Sequence, residues 1–152
     1  MRLVLDTNII LDLLHFADRH TESLRKAISE GQVQCFSDSE CLAELERVTA
    51  YPEFRLAAAQ RSVLIDNYRE FVTLSEAKAG ENYLLPRCRD VDDQKFLVLS
   101  ARCKADLLIT RDKELLRLAG RSDAPCPIVT AHTACQLLGA VQPPAENPFR
   151  RA

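Results

Sequence analysis

Leu3-Val4-Leu5 is an unbroken apolar run that stops at Asp6-Thr7-Asn8. Beyond it the apolar residues return at helical spacing, as Ile9-Ile10-Leu11 and Leu13-Leu14. A strand without polar alternation has both faces covered, which is the mark of a parallel sheet lying between helices. The segment therefore demands strand, tight turn and helix in quick succession. Strands alternate with helices along the rest of the chain, so the expected fold is three-layer α/β, a central parallel sheet of four to five strands flanked by helices. In such sheets ligands sit just beyond the carboxyl ends of the strands. Asp6 stands at one of these ends.

The pattern predicts further strands over 33–36, 71–74, 107–109 and 127–129, and helices over 21–30, 38–50, 56–69, 92–104, 110–119 and 130–138. Gly31 suits a helix C-cap. Ser37-x-x-Glu40 reads as a capping box opening the helix over 38–50, and Thr110 reads as the cap of a later one. Residues 75–92 form a long irregular loop with Gly80, Pro86 and dense charge at Arg87, Arg89 and Asp90, and loops of that length are usually functional. One domain is expected over 1–140. The tail over 141–152, with Pro143-Pro144 and Arg150-Arg151, is expected to be mobile.

No apolar run approaches the roughly 18 residues that span a bilayer. The first strand begins at residue 3, where a leader would lie, so a cytoplasmic protein with no membrane contact is expected. The cysteines at 35, 41, 88, 103, 126 and 135 contain no Cys-x-x-Cys pair, and several fall at apolar positions. They read as reduced core residues rather than a zinc or disulfide framework. His15, His20 and His132 do not pair at helical spacing, which argues against a histidine metal site. The net charge of −2 hides an asymmetry: residues 1–76 carry 8 Lys/Arg against 13 Asp/Glu, and residues 77–152 carry 12 against 9. A basic half beside acidic residues suits a protein that holds a metal and an anionic polymer together. Ordinary solvated surface charge accounts for the counts equally well.

Several acids are placed to meet. Asp6 and Asp112 each follow a buried strand. Glu44 borders the apolar stripe of Cys41, Leu42, Leu45 and Val48, where a carboxylate needs a partner. Asp93 precedes Phe96 and Leu97 by three and four residues, hence faces inward, whereas Asp92 suits a cap; Asp90 is one extended step away. Each acid alone has an ordinary reading, as helix cap, dipole partner or, for Glu44, a salt bridge to Arg47. Together they gather like charges that repel unless a cation is present. All-oxygen ligands indicate a hard ion, Mg²⁺ or Mn²⁺.

The ordered motifs Leu5-Asp6-Thr7-Asn8, Ser37 followed by helical Glu44, Arg89-Asp90-x-x-Asp93-x-Lys95-Phe96-Leu97 and Ile109-Thr110-Arg111-Asp112-Lys113-x-Leu115-Leu116 resemble a PIN domain from residue 2 to about 138. More narrowly they are similar to the VapC-like toxins of type II toxin–antitoxin pairs. The resemblance implies a metal-dependent ribonuclease acting on RNA, with Asp6, Glu44, Asp93 and Asp112 around Mg²⁺ or Mn²⁺ and Asp90 auxiliary. It implies an antitoxin partner, and homodimers are frequent among such proteins. Thr110 matches a structural cap or a group supporting the acids. Arg111 stands where Gly is often found, and Gln94 where Asn or Asp is usual. Arg87, Arg89, Arg111 and Lys113 are candidates for substrate phosphates. A second expectation is a catalytically silent PIN-like module that binds RNA or a partner. A third, a haloacid-dehalogenase-like phosphatase, needs an acid two residues after Asp6, where this chain has Asn8.

Overall fold

The N-terminal apolar run forms strand β1 (Arg2–Leu5) in the computed structural model, which describes residues 1–141. Strands β2 (Gln34–Ser37), β3 (Val72–Leu74), β4 (Leu107–Ile109) and β5 (Ile128–Val129) come after it. All pair in parallel, in the order β3-β2-β1-β4-β5. The helices are α1 (Thr7–Leu14), α2 (Glu22–Ser29), α3 (Ser39–Thr49), α4 (Ala58–Phe71), α5 (Gln94–Arg102), α6 (Lys113–Leu116) and α7 (Ala131–Val141).

Strand pleating divides the buried residues between two cores. Leu3, Leu5, Cys35, Leu107 and Ile109 join one face with residues of α1, α2, α3, α4 and α7. Val4, Phe36 and Leu108 join the other, with Phe96, Leu97 and Leu99 of α5 and Leu115 of α6. Both faces are covered, so the strands carry no polar alternation. Each fully buried leucine stabilises by about 2 kcal/mol, and the resulting rigid sheet fixes the positions of the residues just past its strand ends. The chain runs β1 to β2 to β3 in one direction, then crosses to β4 and β5 on the other side of β1. The reversal falls between β1 and β4, at whose carboxyl ends such sheets place their ligands.

Local departures from the expected elements share a cause. Ser37 does not open α3. It is the last residue of β2, and Asp38 is the cap, its Oδ1 accepting from the Cys41 amide at 2.9 Å. Thr110 does not cap α6; Asp112 does. In both places a sheet hydrogen bond holds the residue just past the apolar run: the Ser37 carbonyl accepts from the Ser75 amide, and the Thr110 amide donates to the Val129 carbonyl. A 3-10 turn (Val91–Asp93) precedes α5, with Asp90 rather than Asp92 as its cap. Helix α6 stops at Leu116, short of the expected 119, and α7 reaches Val141. Residues 142–152, most of the expected tail, lie outside the described residues. Gly31 takes φ +68° at the end of α2, a left-handed position that glycine tolerates. The six cysteines are free thiols, four of them buried. No helix among the described residues is long and apolar enough to cross a membrane.

Candidate acidic centre

Asp6 follows β1, and its carbonyl starts α1 by accepting from the amides of Ile9 and Ile10. Its side chain does not cap the helix. Instead Oδ2 accepts from Thr110 Oγ1 at 2.6 Å and from Asn8 Nδ2 at 3.1 Å. The register that pairs Leu5 with Ile109 sets Asp6 beside Thr110. Thr110 Oγ1 in turn accepts from the Asp112 amide at 2.9 Å, so one hydroxyl ties together the ends of the two central strands. Asp6 is only 4% exposed. Burial pushes its carboxyl up to about 6, with Glu44 and Asp112 adding to the rise and Thr110 opposing it.

Asp112 uses Oδ1 to cap α6, accepting from the amides of Glu114 at 2.8 Å and Leu115 at 3.1 Å. The cap is thus real, and Oδ2 makes no hydrogen bond among the described residues. Glu44 reaches in from α3. Its Oε2 accepts from Thr7 Oγ1 at 2.9 Å and lies 3.3 Å from Lys95 Nζ; the alternative pairing with Arg47 does not form. Asp93 ends the 3-10 turn half-buried, and no group among the described residues donates to its carboxylate. Burial, then the charges of Asp6, Asp112, Asp90 and Glu44, push it up to about 7. Asp92 is exposed, as is Asp90, whose Oδ1 accepts from the Asp92 amide at 3.0 Å.

The fold therefore gathers Asp6, Glu44, Asp93 and Asp112 into one electrostatic cluster, with Asp90 at its margin. The basic candidates stand apart. Arg87, Arg89 and Lys113 are exposed, and Arg111 turns onto Asp12 of α1 with Nε 3.2 Å from Oδ2. Thr7, Asn8, Lys95 and Gln94 also contribute to the site, although the sequence pattern alone assigns none of them a part in it. Gln94 clasps the preceding loop, accepting from the Cys88 amide at 2.7 Å and donating to the Pro86 carbonyl at 3.1 Å. Thr7 and Lys95 stand in the ordered motifs within two residues of an inward acid, but nothing in the motifs gives either a role.

Among the described residues no three His, Cys, Asp or Glu side chains converge closely enough to enclose an ion. Like charges without a counter-ion stay apart, and Thr110, Asn8, Thr7 and Lys95 hold two of the four acids by their oxygens. The donor chemistry nonetheless fits a hard divalent cation. The set is all oxygen, Asp93 is unsatisfied, and Asn8 Oδ1 is buried without a partner. A cation would also relieve the repulsion that raises Asp6 and Asp93.

Fold and site define an α/β protein with an acidic centre at the switch point of a parallel sheet. A family model for the PIN domain matches residues 2–114, and the chain belongs to that family. The structure of VapBC2 from Rickettsia felis, bound to a DNA fragment from their promoter, contains a chain similar to this one at TM-score 0.61 and 15% identity. The match covers 86% of this chain and 98% of that one, and shows a shared fold. No curated protein matches.

Proposed function

We propose that this chain is a divalent-metal-dependent ribonuclease that hydrolyses phosphodiester bonds of single-stranded RNA in the cytoplasm, as the toxin of a toxin–antitoxin pair. The observation that carries the reading is the electrostatic coupling of Asp6, Glu44, Asp93 and Asp112 beyond the carboxyl ends of β1 and β4. Asp6, Asp93 and Asp112 would hold Mg²⁺ or Mn²⁺, with Glu44 either a fourth ligand or the group that orients the attacking water, and Asp90 auxiliary. Such an ion, when bound, activates water and neutralises a scissile phosphate. Thr110 and Asn8 fix the rotamer of Asp6, and its cap on α6 fixes Asp112. The exposed Arg87, Arg89 and Lys113 suit contacts to substrate phosphates, which position a strand without reading its bases. Arg111 would have to leave Asp12 to join them. Hydrolysis by water at phosphorus would leave 5′-phosphate and 3′-hydroxyl ends. The likeness to a chain of the VapBC2 structure supports an antitoxin as the partner protein.

The test is cleavage of a single-stranded RNA with Mn²⁺, Mg²⁺ or EDTA, for the wild type, Asp6→Asn and Asp112→Asn. Either ion should support cleavage by the wild type, and EDTA or either substitution should abolish it. EDTA-resistant cleavage by the substituted proteins would overturn the reading.

A further inference from the structure

Glu44 differs from the other three acids in already having a cation. Lys95 Nζ lies 3.3 Å from Glu44 Oε2, and the two side chains are only 13% and 14% exposed. Nζ also donates to the Asp92 carbonyl at 2.6 Å and stands 5.4 Å from the centre of the Phe96 ring. Thr7 Oγ1 is a further donor to Oε2. Asp6, Asp93 and Asp112 form no salt bridge with any Lys or Arg among the described residues. An exposed pair of this kind would contribute little, but an ammonium enclosed here would be left poorly solvated if it abandoned its carboxylate.

We propose that Lys95 is a positioning residue that reserves Glu44. Its fixed positive charge occupies this carboxylate and discourages a divalent ion from taking it as a ligand. Asp6, Asp93 and Asp112 would then be the carboxylates left to hold the ion, and Glu44 would remain available to orient a water. The inference rests on the metal-dependent reading of the acidic centre. It carries an unusual sign: Lys95 weakens ion binding while raising turnover. A lysine that merely braces the fold would, on removal, weaken both.

The experiment titrates the EDTA-stripped full chain with Mn²⁺, following free Mn²⁺ by electron paramagnetic resonance. Wild type, Asp6→Asn, Lys95→Gln and Lys95→Arg are compared. Removing a unit charge a few ångströms from a dication should tighten Mn²⁺ binding about tenfold in Lys95→Gln. At saturating Mn²⁺ its RNA cleavage should fall in kcat with KM little changed, and Lys95→Arg should bind Mn²⁺ like the wild type. Lys95→Met, which keeps the stem against Phe96, replaces the Gln variant if that fails to fold. Unchanged or weaker Mn²⁺ binding by the folded Lys95 variant, with binding intact in the wild type and lost in Asp6→Asn, would overturn this role alone. Absence of Mn²⁺ binding by the wild type would overturn the metal reading as well.

Discussion

Helix α5 has a group of enclosed charges at each end, and the two are built on opposite terms. Before its first turn stand Asp93 and the acids around it, which repel one another and are only partly satisfied. At its last residue, Arg102, 4% exposed, meets Asp38 Oδ2 at 3.0 Å and Glu81 Oε1 at 2.6 Å, and donates to the Ser75 carbonyl at 2.8 Å. The carboxyl groups record the difference. Asp6 and Asp93 are pushed up to about 6 and about 7, whereas the Arg102 guanidinium holds Glu81 down to about 2. Charge matched to charge ties α3, α5 and the segment after β3 together. Charge left unmatched costs stability and is kept where a ligand can relieve it. Breaking each group should therefore move stability in opposite directions.

The largest expected effect is on activity. Asp93→Asn should lower RNA cleavage at least a hundredfold, because a carboxylate whose charge gathers a cation is replaced by a neutral amide. The same variant should be more stable than the wild type in EDTA at pH 8, by about 1 kcal/mol after allowing for solvent screening at a half-exposed position. Thermal unfolding beside the cleavage assay checks both. A variant that loses activity and stability together would show that the acidic end is structural like the other.

Arg102→Met should do the reverse. It strands Asp38 and Glu81 beside an apolar side chain and should cost about 3 kcal/mol in urea unfolding. Cleavage per folded molecule should change little, since Arg102 touches none of the four acids.

The pH dependence of stability in EDTA should show both regions in one curve. Asp6 and Asp93 have folded values above their unfolded value of 3.8, so their contribution is fully present below about pH 4 and is lost as pH rises through about 6 and 7. The buried Asp6 alone accounts for about 2 to 3 kcal/mol of that loss. Glu81 is depressed from 4.5 to about 2, so its contribution is present above pH 4.5 and is lost as pH falls through about 2. Glu81→Gln should flatten only the acid limb, and Asp93→Asn only the neutral one. Saturating Mn²⁺ should lift the neutral limb and leave the acid limb alone, because an ion bound only to the native state adds stability by mass action.

The two regions also differ in how far they could be read from the chain. Strands at Leu3–Leu5 and Leu107–Ile109 were legible because burial on both faces leaves an apolar signature. The acids after them were legible because strand ends are where such sheets place chemistry. The caps of α3 and α6 escape the sequence pattern for one reason. Ser37 stands beside Asp38, and Thr110 two residues before Asp112, so each junction offers two capping side chains. The choice is made by sheet bonds such as the Ser75 amide to the Ser37 carbonyl and the Thr110 amide to the Val129 carbonyl. Those partners are remote in sequence. Arg102 was illegible for the same reason: a terminal helical arginine normally reads as solvated, and its partner Asp38 lies 64 residues away. Lys95 looked equally ordinary until the packing of α3 against α5 brought it to Glu44.

Gln94 sharpens the comparison with the smallest effect. It sits at the acidic end of α5 but is neutral, and both of its amide atoms are used, on Cys88 and Pro86. If that end of the helix contains structural work as well as unmatched charge, Gln94 carries it. Gln94→Ala leaves the Cys88 amide and the Pro86 carbonyl without these partners, at a cost of about 1 kcal/mol where water can replace part of the loss. Amide exchange at Cys88 should quicken well beyond that of the β1 amides, which close through the sheet. Cleavage should fall only a few-fold, because the clasped segment carries Asp90 at the margin of the cluster and none of its four central acids. A collapse of activity as deep as that of Asp93→Asn would instead mean that the segment over 86–90 forms part of the reacting centre, and that order at this end of α5 is set by the loop rather than by the sheet.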